Sequence, residues 1–187
     1  MDETVAPVGD QRGASGAPPA ARPRAGLIGG LGVIAGVVIG LDQLTKAWAV
    51  SSLSGRAPIP VVDGLLRLNL TRNAGAAFSL ATGTTWLFTL IAGAVIVVII
   101  RTARRLGSRW WALALGLLLG GAVGNLLDRL FRAPGVGRGH VVDFLELPHW
   151  PVFNVADSCI VTAAVIIGWL GLRGIGVDGR PVGERGG

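Results

Sequence analysis

Four long stretches of apolar residues dominate the pattern of the chain. They cover Gly26–Val50, Gly83–Ile100, Trp110–Phe131 and Val152–Leu172. A helix needs about 20 predominantly apolar residues to cross a bilayer. The second stretch is rich in Val and Ile, but its length favours a helix over a strand. The pattern therefore predicts an all-α membrane protein with four transmembrane helices.

The composition supports this class. Apolar residues make up 51% of the 187 residues and charged residues only 15%, whereas about 25% is usual in soluble domains. Thirty glycines suit helices that pack closely in a membrane. The net charge of +6 invites a nucleic-acid partner, but the arginines flank apolar stretches and form no stripe. No nucleic-acid partner is therefore expected.

The basic residues predict the orientation, because cytoplasmic connections carry an excess of them. Five lie in the two connections on one side, and ten lie on the other: Arg12, Arg22, Arg24, Arg101, Arg104, Arg105, Arg109, Arg173, Arg180 and Arg185. Both termini should thus be cytoplasmic. Residues 1–25 and 173–187 lack hydrophobic periodicity and are predicted to be disordered tails flanking one membrane domain, residues 26–172.

The first span also has features of a cleaved signal peptide. A basic segment precedes it, and Ala47-Trp48-Ala49 resembles a cleavage site. Asp42 and Lys46 interrupt the segment before that site, and three further spans follow. We therefore interpret it as a retained span.

The first outer connection contains a β segment at about residues 56–80. Leu66, Leu68 and Leu70 alternate with polar residues, as in a half-buried strand, and Asp63-Gly64 is a two-residue turn signal. We expect a small extracytoplasmic sheet on the membrane surface, with one open apolar face; if the protein has a membrane-bound substrate, this face could hold it.

Ionisable and amide residues in membrane spans are costly and are functional candidates by default. In the predicted topology they all fall at the outer end of the bundle: Asp42, Lys46, Asn125, Asp128, Arg129, Asn154 and Asp157. Asp143 lies at the same end, in the connection just before the fourth span. Asp42 and Lys46 are spaced to pair on one helix face. We interpret this pair, and Asp128 beside a neighbouring cation, as structural.

Helical spacing organises the third and fourth spans. Gly116, Gly120 and Gly124 form a small-residue ridge for helix packing, and Gly121, Asn125 and Arg129 form the adjacent row. Asn154 and Asp157 share a face, whereas Cys159 is rotated roughly 200° from Asp157 and is expected to be a small buried residue.

Asp143 and Asp157 allow several chemistries. They could share a proton as a peptidase pair, bind a metal with His140 and His149, or relay protons in a small ion-coupled carrier. No recognisable metal-ligand spacing is present, so no metal or cofactor is expected. The residues alone leave a membrane enzyme and a carrier open.

Five segments in order resemble the bacterial lipoprotein signal peptidases, or signal peptidase II. They are DQLTK from Asp42, NAGAAF from Asn73, GGAVGNLLDR from Gly120, VVDF from Val141 and FNVADS from Phe153. The resemblance covers about residues 26–172. It implies an aspartic endopeptidase of the cytoplasmic membrane that cuts prolipoproteins just before a diacylglyceryl-modified cysteine.

The resemblance also implies roles for individual residues. Asp143 and Asp157 match the catalytic aspartates, and Asp42 and Lys46 match a polar pair on the first helix. Five others match positions that support the site or contact substrate: Asn73, Gly121, Asn125, Arg129 and Asn154.

The chain departs from the family pattern in two places. Residues 130–142 form a connection that is longer than in other members of the family, and we expect it to be a flexible flap. His140 stands where the family pattern leads us to expect an aromatic residue. The implied partners are a prolipoprotein substrate and membrane lipids, and a monomer is expected.

Overall fold

The computed structural model describes residues 25–75 and 85–183, and four helices dominate it. They are α1 (Ala25–Leu53), α2 (Thr85–Ala103), α3 (Arg109–Phe131) and α4 (Val155–Leu172). Each is long and apolar enough to cross a membrane. The four predicted spans are confirmed, with α1 extending three residues beyond its predicted end. The predicted tail at 1–25 lies outside the described residues except for Ala25.

The helices expose apolar side chains and bury charged ones. On α1, Leu41 and Leu44 are 53% and 70% exposed, while Asp42 and Lys46 are fully buried. A helix in water would have the opposite pattern. The exposed apolar surface therefore faces lipid, and the polar residues face the bundle interior.

The predicted glycine ridge brings α3 close to α1. A Cβ at Gly120 would lie 2.9 Å from the carbonyl oxygen of Ala35, and one at Gly124 would lie 2.6 Å from Oδ2 of Asp42. Both contacts are too short for a side chain. Glycine therefore lets the polar part of α1 pack directly on the α3 backbone.

A three-stranded antiparallel sheet lies at the end of the bundle where α1 and α3 finish and α4 begins, here called the sheet end. Its strands are β1 (Ile59–Val62), β2 (Leu66–Asn73) and β3 (Val141–Glu146), in that order. The predicted two-residue turn is a three-residue turn, in which Gly64 has φ +71°. Strand β3 was not predicted: Asp143 lies on a strand rather than in an irregular connection.

The apolar face of the sheet is partly covered by α1. Leu68, Leu70 and Phe144 pack against Ala49 and Leu53 near the end of that helix. The prediction of an open apolar face for substrate is therefore wrong at these positions, because α1 continues far enough to bury them. The exposed apolar side chains of the sheet lie instead on β1 and its turn, at Ile59, Val61, Val62 and Leu65.

The connection between α3 and β3 is fastened at several points. The backbone N–H of Gly139 donates to the carbonyl of Arg129 (2.9 Å), and the Thr89 hydroxyl on α2 donates to the carbonyl of Gly137 (2.8 Å). The predicted flexible flap is therefore a hydrogen-bonded loop that returns to the bundle. Its closure places β3 directly against the end of α3.

Residues 173–183 are folded, contrary to the prediction of a disordered tail. Ile175 bridges to Pro181 in an antiparallel turn. The carbonyl of Val177 accepts from the N–H of Gly107, and the carbonyl of Ile175 accepts from the indole of Trp111 (both 3.0 Å). These contacts dock the segment onto the start of α3, which a glycine-rich sequence without periodicity did not reveal.

Candidate active site

The start of α4 fixes the position of Asp157. Asn154 is the N-cap residue: its side-chain oxygen accepts from the backbone N–H of Asp157 (2.9 Å), and its own N–H donates to Oδ2 of Asp157 (3.2 Å). This reciprocal pair satisfies amide groups that a helix terminus leaves free. The spacing Asn-x-x-Asp thus holds one carboxylate in the first turn of the helix.

Asp143 reaches the same place from β3. Its Oδ1 accepts from the side-chain amide of Asn154 (2.6 Å), and its Oδ2 accepts from that of Asn73 on β2 (3.0 Å). The register pairs Thr71 with Asp143, so strand β2 supplies a donor from the same face of the sheet. Asn154 therefore contacts both carboxylates.

Asn125 on α3 hydrogen-bonds to residues of both α1 and the start of α4. Its amide nitrogen donates to Oδ1 of Asp157 (2.8 Å), and its oxygen accepts from Nζ of Lys46 (2.8 Å) and from Asn154 (3.2 Å). Five elements therefore converge on the pair: α1, α3, β2, β3 and the start of α4.

A buried ion cluster of Asp42, Lys46 and Asp128 lies next to the Asp143–Asp157 pair. Nζ of Lys46 lies 2.9 Å from Oδ2 of Asp42 and 2.9 Å from Oδ2 of Asp128. Both carboxylates also anchor backbone: Asp42 accepts from the N–H of Ala156 and Asp128 from that of Val142 (both 3.1 Å). The cluster thus ties α1 and α3 to the residues adjacent to Asp157 and Asp143.

Two members of this cluster were missed by sequence reasoning. Gln43 donates to Asp42 (3.1 Å) and to the carbonyl of Gly124 (3.0 Å), and Arg132 pairs with Asp128. Arg132 follows Asp128 by four residues, a spacing that could have indicated the pair. Nothing in the sequence indicated the contact of Gln43 with α3.

Asp143 is almost completely buried. Burial is the main cause that raises its pKa, to about 6 from an ordinary value of 3.8, and the nearby Asp157 charge adds to the effect. The hydrogen bonds from Asn73 and Asn154 oppose it. A carboxyl group with this pKa can carry a proton at near-neutral pH.

Arg129 is buried beside the pair with unused hydrogen-bonding capacity. Its guanidinium carbon lies 5.2 Å from the ring centroid of Phe88. Among the described residues, Nη1 of Arg129 has no hydrogen-bond partner. Because a buried unpaired donor is unfavourable, this atom is a candidate ligand-binding group.

Gly121 acts through helix packing. A Cβ there would lie 2.6 Å from the carbonyl oxygen of Ala156 and 2.7 Å from Ile160. Glycine therefore lets α4 approach α3 closely enough for Asn125 to reach Asp157. Of the residues that the family resemblance singled out, Asn73, Asn125 and Asn154 donate hydrogen bonds to the carboxylates. Arg129 lies close enough to interact with their charges.

Other sequence candidates lie elsewhere. His140 precedes β3 and lines a cavity with Arg72 and Val142, His149 lies in a turn with φ 60°, and no hydrogen bond joins Cys159 to the carboxylates in the described ranges. Within residues 25–75 and 85–183, no group of three or more His, Cys, Asp or Glu side chains has an arrangement that could hold a metal ion.

Fold and site together define a four-span membrane protein with two amide-supported carboxylates at one end of its bundle. The profile of the family described as signal peptidase (SPase) II matches residues 34–173. The chain therefore belongs to the signal peptidase II family.

Individual relatives agree with this assignment. The chain is 55% identical over 147 residues to the lipoprotein signal peptidase of Rhodococcus jostii, covering 79% of this chain and 74% of that protein. It is 51% identical over 152 residues to that of Mycobacterium avium, covering 81% and 82%. A solved bacterial membrane enzyme superposes with a TM-score of 0.70 at 25% identity, covering 82% of this chain and 97% of the other.

Proposed function

We propose that the chain is an aspartic endopeptidase that uses Asp143 and Asp157 to remove the signal peptide from diacylglyceryl-modified prolipoproteins. Membership of the signal peptidase II family makes it a peptidase and disfavours the small-carrier alternative. The observation that carries the aspartic mechanism is the position of Asn154 between the two carboxylates at the sheet end. Its side-chain amide donates to Oδ1 of Asp143, and its backbone N–H donates to Oδ2 of Asp157.

The chemistry requires the two carboxyl groups to differ in protonation. The ionised one accepts a proton from water, whose oxygen attacks the scissile carbonyl carbon, while the protonated one donates to the carbonyl oxygen. The resulting tetrahedral intermediate collapses as a proton passes to the leaving amine. The raised pKa of Asp143 supports a shared proton, which belongs to the pair rather than to one residue.

The surrounding side chains have supporting roles in this proposal. Asn73, Asn125 and Asn154 orient the carboxylates, and Gly121 permits the helix packing that brings Asn125 to Asp157. Nη1 of Arg129, which has no partner among the described residues, donates to a backbone carbonyl of the bound peptide. Asp42, Lys46 and Asp128 hold the framework.

The position of the site suits a membrane-anchored substrate. A signal helix and a diacylglyceryl group both hold the scissile bond near the membrane boundary, and the carboxylates lie at the end of the bundle. The excess of basic residues at the other end supports cytoplasmic termini and an outer-face site in the bacterial cytoplasmic membrane. The proposed site needs no second subunit, because all the groups named above come from one chain, and a monomer is the expected state.

The test is cleavage of a diacylglyceryl-modified prolipoprotein by the purified full chain. Asp143→Asn and Asp157→Asn are each expected to abolish cleavage, because an amide cannot exchange the required proton. The matched control is Asp63→Asn, in the exposed β1–β2 turn, which should retain activity. Normal cleavage by either of the first two variants would exclude the proposed pair.

The lipid requirement is tested separately with the same substrate lacking its diacylglyceryl group. The unmodified substrate is expected to be cleaved poorly or not at all. Equal cleavage of both substrates would reject the lipid requirement while leaving the catalytic pair intact. Proton flux in sealed vesicles without any cleavage would favour the carrier.

A further inference from the structure

A cavity of about 510 Å³ lies beside the sheet, between the end of α1 and the loop that follows α3. One part of its lining is apolar, from Val50, Pro134 and Val142. The polar part is entirely basic or imidazole: Arg72, Arg132 and His140. None of the proposed peptidase steps uses this cavity.

The sheet separates the cavity from the carboxylates. Arg72 pairs with Val142 across β2 and β3, whereas Thr71 pairs with Asp143. Successive side chains of a strand point to opposite faces. Arg72 and Val142 therefore lie on one face of the sheet, and Asp143 lies on the other.

The cavity carries net positive charge. Arg132 shares Asp128 with Lys46, and Lys46 also pairs with Asp42, so two carboxylates balance these two cations and the net charge of the cavity comes from Arg72. Arg72 forms no ion pair within residues 25–75 and 85–183, and no acidic side chain is among the residues lining the cavity. An anion entering here would meet two guanidinium groups.

The cavity lies at the depth of the membrane–water interface. Trp48, two residues before Val50 on α1, is exposed and packs edge-on against Phe144 at 6.4 Å between ring centroids. Tryptophan is enriched at the level of lipid headgroups. At this depth, the apolar lining of the cavity lies beside the upper part of the lipid acyl chains.

We infer that this cavity binds the phosphate group of a membrane phospholipid, with Arg72 and Arg132 as its principal donors and His140 beside them. Guanidinium groups match phosphate oxygens in geometry and charge. The apolar lining accommodates the glycerol end of the lipid, which a free anion would leave unfilled. This ligand site is additional to the peptidase site and independent of the identity of the catalytic pair.

The test uses the full chain, purified and delipidated in a neutral detergent. Three probes are compared by direct binding: short-chain phosphatidylglycerol, diacylglycerol with the same chains, and inorganic phosphate. Phosphatidylglycerol is expected to bind at least about tenfold more tightly than either other probe, as loss of one charge-assisted hydrogen bond would predict. Diacylglycerol lacks the phosphate, and inorganic phosphate lacks the apolar part.

Two variants test the location. Arg72→Gln removes the guanidinium that has no ion-pair partner among the described residues, and Ala133→Glu places a carboxylate in the exposed cavity lining. Each variant should weaken phosphatidylglycerol binding about tenfold. Arg56→Gln removes an equal charge from an exposed position outside the cavity and should have no effect. Thermal unfolding of each variant in detergent verifies that it is folded.

Four results would overturn the inference. Equal binding of diacylglycerol would show that the phosphate is not recognised, and equal binding of inorganic phosphate would show a free-anion site. Equal weakening by Arg56→Gln would indicate a general electrostatic effect. Unchanged binding in both folded cavity variants would place the lipid elsewhere.

Discussion

The side-chain amide of Asn154 donates a 2.6 Å hydrogen bond to Oδ1 of Asp143. The oxygen of that same amide caps the first turn of α4. One side chain therefore couples the start of a membrane helix to a carboxylate on a strand. Substitutions there should affect stability and activity through different atoms.

Asn154→Ser and Asn154→Ala separate these two contributions. Serine retains an N-cap acceptor, whereas alanine loses it at a cost of ~1 kcal/mol in stability. Both lose the donor to Asp143, so kcat/KM should fall roughly 10- to 100-fold in each. Cleavage assays and thermal unfolding in detergent measure the two effects. Full activity of the serine variant would contradict the role of the amide.

Cleavage should depend on a group that titrates near pH 6. Burial raises the pKa of Asp143 to about 6, and the proposed mechanism requires one protonated carboxyl group in the pair. Activity should therefore fall as the pH rises through this value. A pH–rate profile of the wild-type protein measures it, and activity that is constant from pH 5 to about 8 would contradict the assignment.

The same pKa predicts how stability depends on pH. Because the native pKa lies above the unfolded value of 3.8, the native state binds more protons between pH 3.8 and about 6. Its stability relative to the unfolded chain should fall as pH rises through that window, by ~3 kcal/mol at most. Asp143→Asn should remove this slope from thermal unfolding in detergent, and Asp63→Asn should keep it.

Asn73→Ala should move the pH profile upward. The hydrogen bond from Asn73 lowers the pKa of Asp143, so its loss stabilises the protonated form. The apparent pKa of the falling limb should rise. Asn69→Ala on the same strand is the control. A shift to lower pH, or an equal shift in the control, would contradict this assignment.

Gly121→Ala should force α4 away from α3. The added Cβ would lie 2.6 Å from the carbonyl of Ala156, and such overpacking typically costs ~1–3 kcal/mol. Lower thermal stability and reduced cleavage are expected together. Gly168→Ala on α4, where an added Cβ meets nothing within 4 Å, should be neutral. Wild-type stability and cleavage in Gly121→Ala would mean that α3 and α4 can move apart without loss of stability or activity.

Lys46→Met should lower the stability of the protein far more than the loss of an exposed charge does. It leaves Asp42 and Asp128 buried without their shared cation, an arrangement that costs ~3–5 kcal/mol. Arg67→Met breaks the exposed ion pair with Glu146 (2.7 Å) and should cost ~1 kcal/mol or less. Unfolding midpoints in detergent compare the two, and equal losses would exclude a structural role for Lys46.

The sequence predicted the parts of this molecule that depend on local composition. Apolar length located the four helices, and the polar residues within them marked one end of the bundle. It did not reveal β3, because Val-Val-Asp-Phe is short and interrupts its apolar residues with a carboxylate. Choosing Asp143 over Asp128 as the partner of Asp157 required the family resemblance.

Contacts between distant segments were also beyond local reasoning. The amide of Asn125 links Lys46 to Asp157 only because glycines allow three helices to approach closely. The C-terminal segment is ordered because its backbone carbonyls accept from the N–H of Gly107 and from the indole of Trp111, and its own side-chain pattern does not encode these contacts. In both cases tertiary packing supplies the partner.

The sheet combines strands from two separate connections, since β1 and β2 precede α2 whereas β3 follows α3. During biosynthesis, β1 and β2 are therefore made before α2 and α3. They can pair with β3 only after α3 has been inserted into the membrane. Lys46 likewise meets Asp128 and Asn125 only after that insertion. The order of synthesis thus keeps the carboxylate pair unassembled until the last span begins to enter the bilayer, so a chain truncated before α4 would lack the proposed catalytic pair.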